Sequence, residues 1–378
     1  MKVAHFALKG NFIGNSIKVF EAFFPKQNIF FFIPNKANII LYPSPEGTIS
    51  SIPLLKDNYI EIKKYFLKNN ITKIVLHGLY REYIDVLSRL VEDNGNIYDV
   101  YWIFYGYELY YSLSQRNLYD LNDANKNPLT LLAYHHNKYS SFVFKLLGKE
   151  VHYKILEEAL PFIKYFCFWN KQDFELLNKF YKTNLLYKFF SYGGAWRDHK
   201  IELFPLVKKQ TKIIINQQAS PTGNHITVFE QLKKIDEHNV YEKVVPLSYG
   251  SEVVKKVVSF YGEKFFREKF SPITRYMQQQ QYFTLLSTAS CAIYGAKRQE
   301  AAGNIYNCLR NGIKVFLRND NNLLTYYKGK GFIIYSFDDE LKTLDDLCGL
   351  SREQQEYNRK CSIDNQLYYE DFMPTFFD

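Results

Sequence analysis

Short apolar runs alternate with segments of helical periodicity along most of the chain. In the first half, apolar runs at 71–77 and 98–105 stand on either side of a helical pattern at 81–93. In the second half, runs at 213–216 and 291–294 each precede a helical pattern. Strands that alternate with helices predict parallel sheets with both faces covered, which explains why these runs are apolar on both faces.

The chain is too long for one ordinary core, since 378 residues suit two domains. The boundary is predicted in 191–209, which contains Gly193, Gly194 and Pro205 among charges and has no sustained periodicity. Two parallel sheets that face each other would place a ligand-binding cleft between the carboxyl ends of their strands. The predicted division is an N-terminal domain at 1–192, a linker at 193–209, a C-terminal domain at 210–345 and a helical tail at 346–378, for which packing against the N-terminal domain is one option.

The amino-acid composition excludes several classes of protein. A hydrophobic content of 47% indicates a globular chain. The net charge of +9 is spread through both halves and suits a phosphate-rich ligand or an anionic membrane surface. No nucleic-acid-binding motif is present, so no nucleic-acid partner is expected. The five cysteines show no CxxC spacing, which indicates free thiols in a reducing compartment. Neither a signal peptide nor an apolar run of ~18 residues is found.

The segment that follows the run at 291–294 combines charges, small residues and the start of a helix. The helix is expected to begin near 300–303 and to end at Gly312. Its first N–H groups and its dipole favour an anion. Lys297 and Arg298 add positive charge, and Gly303 would allow a ligand to approach the backbone. These features predict a diphosphate site, although an ordinary strand–helix turn with solvated charges is an equal alternative.

A second candidate loop is 215–225, which also lies between an apolar run and a helix. Its length of about eight residues exceeds the usual ~2–6 for such a connection. Asn216, Ser220, Thr222 and Asn224 can donate hydrogen bonds to phosphate oxygens. The alternative is that Thr222 or Asn224 simply caps the following helix.

Two strand ends in the first half carry candidate bases. His77 and Gly78 follow one apolar run, and Gly106 and Glu108 follow the next. An imidazole or a carboxylate at such a place could take the proton of an attacking hydroxyl. The alternatives are a histidine bonded to the backbone and a glutamate that complements a helix dipole. No HxxxH pair is present, so no metal site is predicted.

Seven segments, taken in order, resemble a known family. They are LHGLY (76–80), YGYELY (105–110), FWNKQDFELLNKF (168–180), FFSYGGAW (189–196), IINQQASPTGNH (214–225), VVPLSYG (244–250) and KRQEAAGNIYNCLRNGIKV (297–315). This order is similar to that of the bacterial TDP-N-acetylfucosamine:lipid II N-acetylfucosaminyltransferases, glycosyltransferase family 56. This sequence departs from the family pattern at two places. The family's Trp-Gly-Ala-acid is 105–108 here, where the bulky Tyr107 and the longer acid would alter the acceptor pocket. The family's Asn-Ser-Gly loop is 216–218 here, which changes the donor contacts and leaves the donor sugar open.

The resemblance implies a GT-B fold, that is, two Rossmann-like α/β domains with parallel sheets that face each other across a cleft. It further implies a metal-independent transferase without a cofactor, which moves a deoxy-amino sugar from a TDP-sugar to a lipid-linked glycan. The expected location is cytoplasmic, at the inner face of the bacterial membrane. UDP-dependent or GDP-dependent GT-B transferases, and a non-enzymatic module that binds glycans or nucleic acid, remain alternatives.

On this basis each candidate residue receives an expected role. The expected base is Glu108, with His77 as second choice, and the expected acceptor-binding residues are Gly78, Gly106 and Tyr107. The residues expected to bind the donor are Asn216, Ser220, Thr222, Asn224, Lys297, Arg298, Gln299, Gly303 and Asn304. The basic, amphipathic segment 131–156 could lie on anionic lipid, or it could be an ordinary core-facing helix pair.

Overall fold

A computed structural model describes residues 2–8, 13–34, 48–50, 52–123, 152–191 and 206–378. Two sequence predictions therefore lie largely outside the described residues. They are the linker at 193–209 and the basic, amphipathic segment at 131–156.

The described residues form two compact units, and each unit contains residues from distant parts of the sequence. The first unit contains those up to Arg116, those within Phe144–Asp198, and Leu367–Asp378. The second contains those within Asn117–Val143 and within His199–Gln366. Residues 117–123, here called the inserted segment, thus belong to the second unit although they directly follow a helix of the first.

The first unit contains a seven-stranded sheet in the order β3-β2-β1-β4-β5-β6-β7. Its strands are β1 (Val3–Leu8), β2 (Asn28–Ile33), β3 (Thr48–Ile49), β4 (Lys73–His77), β5 (Asp99–Ile103), β6 (Tyr165–Cys167) and β7 (Leu186–Lys188). Every neighbouring pair is parallel. The described helices of this unit are α1 (Ile13–Phe23), α2 (Tyr59–Lys68), α3 (Arg81–Asn94), α4 (Tyr107–Gln115), α5 (His152–Ala159) and α6 (Lys171–Tyr181).

The second unit contains a six-stranded sheet in the order β10-β9-β8-β11-β12-β13, again with parallel pairs. Its strands are β8 (Gln210–Ile215), β9 (Glu242–Pro246), β10 (Phe270–Ile273), β11 (Ala289–Tyr294), β12 (Lys314–Leu317) and β13 (Tyr335–Ser336). Its described helices are α7 (His225–Ile235), α8 (Glu252–Phe266), α9 (Gln279–Thr288), α10 (Ala302–Arg310), α11 (Asn322–Gly329), α12 (Phe337–Glu340) and α13 (Arg352–Asp364).

Local sequence explains several helix starts. Asn170 accepts a hydrogen bond from Gln172 N–H, and Ser251 accepts one from Val254 N–H. Ser351 and Gln354 form a reciprocal capping box at the start of α13. Each of these caps satisfies N–H groups that have no partner within the helix.

The central strands are buried on both faces, which explains their continuous apolar sequences. In β8, Ile213, Ile214 and Ile215 are completely buried, because helices cover both sides of the sheet. In the first unit, the C-terminal aromatic residues complete the core, since Phe376 and Phe377 pack with Phe20. Lys188 Nζ donates to Phe376 O at 2.7 Å and thereby fixes this segment.

Candidate functional site

The two loops predicted to bind phosphate follow β8 and β11, which are neighbours in the second sheet. Asn216 joins them. Its backbone N–H donates to Ile293 O at 2.9 Å, and its side-chain Oδ1 accepts from Gly295 N–H at 2.8 Å. Its side-chain Nδ2 donates to Gly223 O at 2.8 Å. Asn216 also has a positive φ of 57°, a conformation that asparagine tolerates better than most residues. The side chain therefore shapes the loops.

Asn224 has a similar structural role. Its Nδ2 lies 3.0–3.1 Å from the carbonyl oxygens of Leu121, Thr222 and Gly295, so protein acceptors already surround its two hydrogens. Its Oδ1 accepts from Asp123 N–H at 2.9 Å. Asn224 stands at the start of α7 but makes no capping bond with its side chain. In this conformation its amide has no hydrogen left for a phosphate.

Gly295 shows how closely the two loops approach each other. A Cβ atom added at this position would lie 2.4 Å from Gly223 O, which is too close for any side chain. Glycine is therefore required where the chain leaves β11. This contact between the loops gave no signal in the sequence, because it depends on which strands are neighbours.

Ser220 and Thr222 form the hydroxyl part of the first loop. Ser220 Oγ lies 2.7 Å from Thr222 Oγ1 and accepts from Thr222 N–H at 3.3 Å. Ser220 thereby caps the short 3-10 turn Pro221–Gly223. Thr222 Oγ1 donates to Glu300 Oε2 at 2.7 Å, which connects this loop to the one that follows β11.

Glu300 is a site residue that the sequence analysis missed. Its carboxylate is buried, with the residue only 7% exposed. It accepts hydrogen bonds from Gln218 Nε2 at 2.6 Å, Gln217 Nε2 at 3.2 Å and Thr222. Burial acts to raise its pKa, but Arg298 and these donors outweigh burial, so the pKa is lowered and Glu300 is ionised at neutral pH.

The two cations predicted beside the helix are both paired with carboxylates. Lys297 Nζ lies 3.1 Å from Asp123 Oδ1 and 3.7 Å from Asp320 Oδ2. Arg298 Nη2 lies 3.4 Å from Glu300 Oε2. The site therefore contains many charges, and its positive charges are largely compensated within the protein.

The helix predicted beside these cations is α10, and it begins where the sequence analysis expected. Ala301, immediately before it, has a positive φ of 63°. Gly303 in its first turn is exposed, and a Cβ atom there would meet nothing within 4 Å. Gln299 and Asn304, which precede and follow Gly303 in sequence, are half-buried. The first turn of this helix, which is where a helix can bind an anion through its N–H groups, is therefore exposed at Gly303.

The inserted segment supports both loops from one side. Tyr119 Oη lies 2.8 Å from Lys297 O and 2.9 Å from Asp320 O, and its single hydroxyl hydrogen can be donated to either oxygen. The carbonyl oxygen of Leu121 accepts from Asn224 Nδ2. A segment from the first half of the sequence therefore contacts the loops that follow β8, β11 and β12.

Asp123 is the charged centre of that support. Its carboxylate accepts two hydrogen bonds from Arg318, at 2.6 and 3.1 Å, and also pairs with Lys297. Burial opposes its ionisation, but Arg318 lowers its pKa. Arg318 in turn donates to Asp338 Oδ1 at 2.9 Å and lies over the ring of Phe337. This bidentate pair fixes the position of Lys297 through a shared carboxylate.

In the first unit, the predicted acceptor-binding residues lie together at the ends of β4 and β5. Gly78 has a positive φ of 81°, and a Cβ atom there would lie 3.0 Å from the Tyr105 ring and 3.1 Å from Tyr107 Oη. Tyr107 Oη donates to Leu79 O at 3.2 Å. Gly106 also has a positive φ, of 99°, immediately before α4. Both glycines are therefore required by the turns that bring these tyrosines together.

Glu108 lies in the first turn of α4 and is 2% exposed. Its carboxylate oxygens are each 3.3 Å from Tyr105 N–H, and Trp102 Nε1–H donates to Oε1 at 3.4 Å. Burial raises its pKa to about 7, because these neutral donors only partly replace water. Glu108 therefore combines a brace for the preceding turn with a pKa suited to proton transfer.

His77 lies inside the first core. Its Nε2 is 3.1 Å from His5 Nδ1, and His5 Nε2 is 3.0 Å from Asn28 Oδ1. Burial lowers the pKa of His77 well below its ordinary value and that of His5 to about 3, so both rings are neutral. Residue 77 is at the end of its strand as predicted, but its imidazole belongs to a buried polar pair.

In the part of the chain that the structure describes, no group of three His, Cys, Asp or Glu residues is placed to hold a metal ion. Of the helices described above, none is both long and apolar enough to cross a membrane.

Comparison with known proteins gives a match in structure and none in sequence. No protein-family model and no curated protein matches the chain. WaaG, a glycosyltransferase involved in lipopolysaccharide biosynthesis, is 11% identical, with a TM-score of 0.56 over 99% of both chains. Sucrose-phosphate synthase from Thermosynechococcus elongatus is 8% identical, with a TM-score of 0.62 over 98% of this chain and 96% of that chain. Anabaena HepE in complex with UDP is 8% identical, with a TM-score of 0.62 over 100% and 96%.

At such low identity these likenesses show the fold alone, and the fold is GT-B. The prediction of fold class is therefore confirmed. Membership of glycosyltransferase family 56 stays a prediction.

Proposed function

We propose that the protein is a glycosyltransferase that moves a sugar from a nucleoside-diphosphate sugar to a hydroxyl group of a glycan. The observation that carries the proposal is in the second unit, where the loops after β8 and β11 contact each other and lead into the first turn of α10, which is exposed at Gly303. In open parallel sheets, ligands bind at the carboxyl ends of the strands, where these two loops begin. The similar structures support the proposal, since WaaG is a glycosyltransferase and HepE is in complex with UDP.

In this proposal the diphosphate lies at the start of α10. The N–H groups near Gly303 and Asn304, together with Arg298, would stabilise the negative charge that develops as the diphosphate leaves. Gln299 would supply a further hydrogen bond, and Thr222 would supply one by exchanging its bond to Glu300 for a bond to the phosphate. Asn216, Ser220, Asn224 and Lys297 would act indirectly, because their polar groups are engaged in holding the loops.

The acceptor is assigned to the first unit, at the turns that contain Gly78, Gly106 and Tyr107. Glu108 is the proposed base, because a pKa of about 7 lets a carboxyl group accept a proton near neutral pH. His77 remains second, since its pKa is far below that range and its Nε2 already faces His5.

The finer identity of the substrates rests on the order of the sequence motifs. It supports a TDP-linked deoxy-amino sugar as donor and a lipid-linked glycan as acceptor, at the inner face of the bacterial cytoplasmic membrane. A UDP-sugar is the main alternative, because HepE is in complex with UDP and the similar trehalose-6-phosphate structure from E. coli is bound with UDP-2-fluoro glucose. A GDP-sugar, or binding without catalysis, would also fit the loops.

A panel of nucleotides tests the proposal. We expect one of TDP, UDP and GDP to raise the unfolding temperature of the protein at millimolar concentration, with the nucleoside alone as control. The corresponding nucleotide sugar, incubated with a lipid-linked glycan, should give a product heavier by one sugar in mass spectrometry. The proposal of metal independence predicts the same yield with EDTA as with magnesium. Binding without any product would favour a non-enzymatic module, and no response to any nucleotide would refute the proposed function.

A further inference from the structure

The donors that a diphosphate would need are bound to a carboxylate of the protein itself. Thr222 gives its only hydroxyl hydrogen to Glu300, and Gln218 donates to the same carboxylate at 2.6 Å. Arg298 lies 3.4 Å from it. Three of the groups best placed for an anion therefore converge on an anion that is already present.

The histidine near Glu300 does not neutralise the negative charge of its carboxylate. His225, the nearby imidazole, is neutral because burial lowers its pKa to about 4. Lys297 is paired with Asp123 and Asp320 instead. Arg298 is thus the cation that faces Glu300 from its own loop, and the facing loop contributes neutral donors.

Glu300 is also directly next to the start of α10. It precedes the first residue of the helix, Ala302, by two positions and shares its loop with Arg298. A phosphate that reached Thr222 or Arg298 would approach the carboxylate to within a few ångströms. Like charges at such a distance repel each other even when they are partly screened, unless the carboxylate moves away.

We propose that Glu300 is a resident competitor, which weakens the binding of the nucleoside diphosphate and so speeds its release after transfer. The inference rests on the proposed function and adds a role for a residue that this function does not need for chemistry. Release of product limits the turnover of many enzymes. A residue that competes with the bound nucleoside diphosphate would therefore raise the steady-state turnover.

The test is Glu300→Gln, which removes the charge and keeps a side chain of the same size. We expect the dissociation constants of TDP, UDP and inorganic pyrophosphate, measured by calorimetry, to fall at least tenfold for those that bind the wild type. Turnover under steady state should fall, whereas the rate constant of a single turnover should not. The matched control is Glu252→Gln, an exposed glutamate in the first turn of α8, which should change neither value.

Glu300→Asp provides a second variant if the first folds poorly. It keeps the charge but draws it back from Thr222 and Gln218, so we expect an intermediate gain in affinity. Unchanged or weaker binding in both variants would overturn the inference while leaving the proposed function intact. If neither the wild type nor the variants bind any of the three ligands, the proposed function and this inference both fail.

Discussion

Two buried glutamates, one in each unit, follow a strand of a parallel sheet and adjoin the start of a helix. Glu108 accepts hydrogen bonds from a backbone N–H and an indole, and its pKa is raised to about 7. Glu300 accepts from two amides and a hydroxyl, faces a guanidinium, and has a lowered pKa. Burial acts to raise the pKa of both glutamates. Only Glu300 faces a cation, Arg298, and there the net effect is a lowered pKa.

The comparison teaches that the same residue type in a similar place can serve two chemistries. A carboxyl group with a pKa near neutrality can exchange a proton with a hydroxyl group. A carboxylate with a lowered pKa is a weaker base, so it is better suited to balancing charge and accepting hydrogen bonds. This difference is the basis on which we propose proton transfer for Glu108 and charge balance for Glu300.

The largest expected effect is on Glu108. Glu108→Gln should lower kcat/KM by ~10²–10⁴, because the amide keeps an oxygen for Tyr105 N–H but cannot take up a proton. The measurement is steady-state transfer with the donor identified by the nucleotide panel. Glu82→Gln, in the first turn of α3, is the matched control and should leave the rate unchanged. Full activity of Glu108→Gln would show that Glu108 is not the base and that its carboxylate only holds the turn before α4.

A somewhat smaller effect is expected from Arg298. Arg298→Ala should reduce turnover ~30- to 1000-fold, since loss of one group that stabilises the leaving charge costs ~2–4 kcal/mol. Arg298→Lys keeps the charge and should recover part of the rate. Near-normal turnover of the alanine variant would remove Arg298 from the proposed site.

The most direct test of the comparison, with an effect on stability and not on turnover, is the dependence of the free energy of unfolding on pH. Because the pKa of Glu108 rises from 4.5 to about 7 on folding, the free energy of unfolding should fall by about 3 kcal/mol as the pH rises through that interval. Glu300 has the opposite sign, since its contribution is present above the unfolded pKa and is lost as the pH falls through the lower folded pKa.

Urea unfolding of the wild type, Glu108→Gln and Glu300→Gln across this range would separate the two contributions. The first variant should lose the slope between pH 4.5 and 7, and the second should lose the slope at lower pH. Parallel curves for all three proteins would show that the two carboxyl groups do not differ as described.

Much of the fold could be predicted because its signal is local. Runs such as Ile213–Ile215 must be covered on both faces, and the helices that cover them show their own periodicity. The short edge strands Phe270–Ile273 and Tyr335–Ser336 were not predicted. Their few residues carry little apolar pattern, and their pairing depends on neighbours far along the chain.

The candidate site could be predicted only in part, for the same reason. The loops at 215–225 and 297–304 were identified from their composition, and the structure places them in contact. The state of Glu300 could not be predicted, because its donors are about 80 positions away in sequence. Asp123 gave no signal, since its partner Arg318 is 195 positions away.

Because of the inserted segment, the second unit is discontinuous in the amino-acid sequence. A fragment that begins after the predicted linker would lack Asp123, and Arg318 and Lys297 would lose the carboxylate they share. On the ribosome, residues 117–123 emerge long before the strands they support. Truncation or domain exchange at the linker would therefore separate parts that belong together, and recombinant dissection of this protein has to carry that short stretch along.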